Sequence, residues 1–89
     1  MKRKYKLIYR RRVRITVRKE TAKDTLKSLD NLGLLLWVLD ELAQGNPVPN
    51  IQEPSGGQTH HVYEIRGSFR LEFIVNDLTI EIVDLLFND

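Results

Sequence analysis

From Val62 to Val83 the chain alternates apolar and polar positions with a period of two. Phe69, Leu71, Phe73 and Val75 alternate with Arg70, Glu72 and Ile74; Leu78, Ile80 and Ile82 repeat the pattern, and Tyr63 and Ile65 begin it. That period predicts three short strands, each with one buried face. With Asn76-Asp77 as a two-residue hairpin loop, Val75 faces Leu78, Phe73 faces Ile80 and Leu71 faces Ile82, so all six share a face. Asn and Asp both tolerate the positive φ that such a turn needs. Ile65 joins the same face as Phe69 only if the first loop has an odd length. A loop of Arg66-Gly67-Ser68 meets that condition, with Gly67 or Ser68 near the left-handed position.

Upstream, Tyr5, Leu7, Tyr9, Val13, Ile15 and Val17 fall on odd numbers, and Lys4, Lys6, Arg10, Arg12, Arg14 and Arg18 on even ones. The alternation predicts one long strand, or two segments broken near Arg10-Arg11-Arg12, with bases facing outward. Residues 20–32 then read as a helix, with Ala22, Leu26, Leu29 and Leu32 as its stripe and Gly33 as its stop. A second helix is expected from Leu34 to Gln44, ended by Gly45 with Pro47 soon after. Residues 46–58, with three prolines and Gly56-Gly57, read as a loop. The expected fold is α+β, in the order β-α-α-β-β-β, with two helices packed on one face of a small antiparallel sheet. Its expected core contains Leu71, Phe73, Ile80, Ile82, Leu26, Leu29 and Leu39.

Composition narrows the function classes. A chain of 89 residues makes one small domain, residues 1–89, and no second domain or repeat is visible. The absence of cysteine excludes disulfides and thiolate metal sites and fits a reducing cytoplasm. No apolar run approaches the roughly 18 residues that a membrane span needs. Net charge is only +2, but residues 1–19 hold ten bases and no acid, while the rest holds four bases and all 12 acids. A basic N-terminal arm on an acidic body points to a nucleic-acid or acidic-protein partner.

The segment Tyr63-Glu64-Ile65-Arg66-Gly67-Ser68-Phe69-Arg70-Leu71-Glu72-Phe73 places an arginine before a tight turn, then Gly-x-aromatic-Arg-aliphatic-x-aromatic. Followed by an Asn/Asp turn and a final aliphatic strand, it resembles the RelE/ParE family of bacterial toxins. The resemblance covers roughly residues 11 to 86. It implies a toxin component or relative that acts on the ribosome and mRNA, or on DNA gyrase, and is neutralised by a small antitoxin wrapped on the helices or sheet. In the nuclease branch, the arginine matching Arg70 stabilises charge on the scissile phosphate. That branch also uses basic or acid–base groups before the first turn and near the C-terminus. Here those regions offer Val62, Glu64 and the histidines, and a C-terminus without base, tyrosine or histidine. The gyrase-binding branch needs no such set.

Each candidate has a plain structural alternative. Arg70 suits phosphate because its planar fork donates two hydrogen bonds; with the odd loop it also lies opposite Glu64 as a cross-strand pair. His61, or its neighbour His60, is the candidate acid–base group; the alternative is a loop-end pair. Adjacent strand residues point to opposite faces, so the two do not readily serve one metal ion, and no cofactor is implied. The row Arg10, Arg12, Arg14 and Arg18 fits a phosphate backbone. Equally, it fits neutralisation of an acidic sheet face, where Glu72 is expected opposite Glu81. Leu34 and Trp37 exceed what one core-facing stripe needs, which marks either a partner or homodimer patch, or extra core.

Overall fold

A computed structural model of the protein describes residues 3–46, 51–52 and 60–88. The α+β class and the element order stand. Strand β1 (Lys6–Tyr9) leads into helices α1 (Arg11–Lys23) and α2 (Leu26–Gln44). A two-residue strand β2 (Ile51–Gln52) and the meander β3 (His60–Ile65), β4 (Phe69–Asn76) and β5 (Thr79–Phe87) follow. The rest of the loop expected over 46–58 lies outside the described residues, apart from Asn46. The sheet order is β1-β5-β4-β3-β2. The pairs within the meander are antiparallel, as is β2 with β3, whereas β1 runs parallel to β5. A parallel pair needs a long connection, and here it runs through both helices and strands β2 to β4.

The meander carries the core because its period places one side chain in two on the inner face. Tyr63, Phe69, Leu71, Phe73, Ile80, Ile82 and Leu85 are buried there against Val13 of α1 and Leu35, Val38 and Leu42 of α2. The first turn is the three-residue loop, with Ile65 paired to Phe69, Gly67 at φ 81° and Ser68 N–H donating to the Ile65 carbonyl. The second turn falls one residue later than expected, at Asp77-Leu78, which shifts the pairing by two: Asn76 pairs with Thr79, Val75 with Ile80 and Phe73 with Ile82, with Asp77 left-handed. A shift of two preserves parity, so the inner set keeps its face. Leu78 does not belong to it; the turn leaves it exposed. An irregularity between Glu72 and Phe73 then sets Leu71 opposite Leu85 rather than Ile82, and Glu72 opposite Asp84 rather than Glu81.

Three expectations about the N-terminal half are corrected. Residues 11–19 are helical, not a strand. Val13, Val17 and Glu20 recur at i, i+4 and i+7, a helical stripe that the odd–even alternation hides. The break between helices falls at Asp24-Thr25, not at Gly33. Asp24 closes α1 in the left-handed conformation, and Thr25 opens α2 with a reciprocal capping box to Ser28. Leu26 and Leu29 consequently lie on the free first turns of α2, 83% and 56% exposed, and not in the core. Leu39 does pack against the core, partly buried.

Gly33 sits mid-helix, with nothing within 4 Å of a Cβ built there. Gly33→Ala should therefore raise stability by about 0.5–1 kcal/mol through reduced unfolded-state entropy. Thermal denaturation checks this. A loss of stability would place Gly33 at a left-handed helix end after all.

Candidate functional site

The two faces of the sheet separate the candidate residues. On β3 and β4 the even-numbered positions face away from the helices, and this outer face holds Arg70, exposed, on the central strand. Arg70 stands opposite Glu64 in the register, as parity requires. Its ion pair is instead along its own strand, Nη1 to Glu72 Oε1 at 3.4 Å. His60 reaches the other oxygen of the same carboxylate, Nε2 to Oε2 at 3.5 Å. The Glu72 carboxylate thus lies between an arginine and a histidine, whose buried Nε2 makes no hydrogen bond to it. His61 points the other way. It faces inward and stacks on Phe73, ring centroids 5.3 Å apart, so it does not share the Arg70 face. Of the adjacent histidines, His60 is the one brought to Arg70.

The arginines expected in a single row do not form one. Arg10 is the N-cap residue of α1, and its Nε donates to Glu81 Oε2 at 2.8 Å. That pair neutralises one acid of the outer face, as the structural alternative required, but only at this arginine. Arg12, Arg14 and Arg18 lie on α1, where about 100° per residue puts Arg14 and Arg18 on one stripe and Arg12 on another with Lys19. The one acid of α1, Glu20, is buried. It takes Lys23 Nζ at 3.1 Å and Asn31 Nδ2 at 3.3 Å, and Asn31 Oδ1 accepts the Ser68 hydroxyl at 2.7 Å. These bonds tie α1, α2 and the first turn of the meander together and leave the outward side of α1 purely cationic.

No family model, curated protein or solved structure matches this chain.

One concavity among the described residues has no signal in the sequence. A groove of about 490 Å³ lies between α1 and α2, floored by Leu71, Ile82 and Leu85 of the sheet. Leu32, Leu36 and Leu39 form its α2 wall, and Val17, Arg14 and Arg18 line the α1 side. Tyr9 adds a phenol whose pKa burial raises above its ordinary value, with the Arg3 charge opposing. The two exposed residues singled out on α2, Leu34 and Trp37, occupy the opposite flank of that helix. Their prediction rested on apolar excess around α2. The same excess, read with the true start of the helix at Leu26, contains the groove wall. Among the described residues, no cluster of three or more His, Asp or Glu is placed to hold a metal ion, and no helix is long and apolar enough to cross a membrane.

Proposed function

We propose that this chain is a RelE/ParE-like toxin component or relative. It acts in the cytoplasm on the translation machinery or gyrase by contact rather than by efficient cleavage, and a small antitoxin holds it in check. The observation that carries this reading is the environment of Arg70. The side chain is exposed on a flat sheet face, at the position to which the resemblance gives a phosphate contact, yet its charge is already matched by Glu72. The same carboxylate lies against the histidine on that face. Phosphodiester cleavage needs one group to take a proton and another to return one. His60 and Glu72 are two such groups beside Arg70, but they are turned on one another, and the carboxylate that matches Arg70 competes with a phosphate for it.

Purified protein should therefore cleave ribosome-bound mRNA weakly or not at all, by about 10²–10⁴-fold relative to an enzyme with a complete acid–base set. A primer-extension assay on translating ribosomes checks this. Efficient codon-site cleavage that disappears in Arg70→Ala and His60→Gln would overturn the contact reading and make the Glu72 cluster a nuclease centre.

A further inference from the structure

The groove between the helices has the size and lining of a small-molecule site. Its volume, about 490 Å³, falls in the range of about 300–1,000 Å³ that such sites occupy. The lining spans residues 14–21 of α1 and 32–39 of α2, about 10 Å along each helix, so the space is elongated. Leu32, Leu36 and Leu39 make one wall apolar, and Leu36 is 67% exposed, so that wall stands against water. The charged groups enter from the α1 side alone. Arg14 and Arg18 lie one helical turn apart, about 6 Å of rise, close enough for one bound anion to take donors from both. Neither has an ion-pair partner among the described residues, and no acid is among the lining residues. The Tyr9 phenol, which burial keeps protonated, is a further donor, whereas the Thr21 hydroxyl is already spent on the Val17 carbonyl.

We propose that this groove binds a free amphiphilic monoanion, a carboxylate with a linear aliphatic tail. The carboxylate would sit on Arg14 and Arg18, and the tail would lie along Leu32, Leu36 and Leu39. Both halves of the ligand are needed to match the site. A nucleic-acid strand would satisfy the arginines but leave the leucine wall in water. An uncharged hydrocarbon would cover the wall and leave both guanidiniums without a partner, and a cationic amphiphile would be repelled by them. The elongated lining favours an extended tail over a compact ring system. Nothing in this assignment depends on the toxin reading, since neither growth nor mRNA integrity enters its test.

Calorimetric titration of the full chain with octanoate, decanoate and laurate, each below its micellar concentration, tests the assignment. The alcohols and trimethylammonium ions with the same tails are the controls. The carboxylates should bind saturably, about fourfold more tightly for each methylene added until the tail fills the groove. The alcohols and the cations should bind at least about tenfold more weakly. Arg14→Gln with Arg18→Gln should erase the advantage of the carboxylate and leave alcohol binding unchanged. Leu36→Gln should weaken both, and Arg70→Ala should change neither. These four residues are exposed, and circular dichroism checks that each variant is folded. Nuclear magnetic resonance of the unaltered chain reads the same site without a variant. Decanoate should shift the methyl signals of Leu32, Leu36 and Leu39 and leave the Trp37 indole, on the opposite flank of α2, unmoved. The proposal is overturned by the absence of saturable binding, by equal affinity for carboxylate and alcohol, or by shifts confined to residues outside the groove. Binding only to vesicles that contain an anionic lipid would also overturn it and assign the surface to a membrane. So would self-association that shifts the same methyls where no carboxylate does, which would assign the groove to a second copy.

Discussion

Shortening Leu71 to alanine should remove about 2–5 kcal/mol of stability, through lost transfer free energy and the cavity left behind. Leu71 is fully buried on β4, the middle strand of the five, and it faces both Tyr63 and Leu85. Domains of this size are stable by only about 5–15 kcal/mol, so the variant stands near the edge of folding. The matched control is Leu26→Ala. Leu26 is the first residue of α2 and is almost wholly in water, so its truncation should change stability by no more than about 0.5 kcal/mol. Urea unfolding of both variants reads the difference. Equal losses would mean that the first turn of α2 packs on the sheet.

Replacing Asn31 with leucine should cost about 2–4 kcal/mol. The amide is the middle of a chain running from the Glu20 carboxylate to the Ser68 hydroxyl, and all three residues are buried. Without it, a buried carboxylate oxygen loses a donor and a buried hydroxyl loses its acceptor. Unsatisfied neutral groups cost about 1–3 kcal/mol each, and charged ones more. Ser68→Ala should cost less, about 1 kcal/mol, because it removes one neutral bond and strands only the amide oxygen. Replacing Glu20 and Asn31 together by leucine should recover part of the Asn31→Leu loss, since an apolar pair no longer buries a carboxylate that has lost a donor. If Asn31→Leu alone is neutral, the network does not hold the helices to the meander.

The meander was readable in the sequence because parity is a strong constraint. Gly67 in an odd loop fixed Ile65 opposite Phe69, and a register error of two residues at Asp77 could not move Phe73 or Ile82 to the other face. The helices were less readable. Alternating arginine with valine and isoleucine satisfies a strand and, through Val13 and Val17, a helix. The β-branched residues favoured the wrong choice until packing on β5 decided it. The true boundary had a local signal in Thr25 and Ser28, but a capping box with serine at its third position is weaker than the usual glutamate form. Parity also held the answer to the histidine question: even-numbered His60, like Glu72 and Arg70, belongs to the outer face. The groove had no comparable signal. Its shape depends on how far apart α1 and α2 lie on the sheet, which no periodicity along one chain encodes.

Induced expression in a bacterial host tests the central claim most directly. A toxin-type protein that binds its target should arrest growth within a few generations, and it should do so without fragmenting ribosome-bound mRNA. Growth indistinguishable from that of cells carrying an empty vector, with folded protein present at high level, would contradict the account.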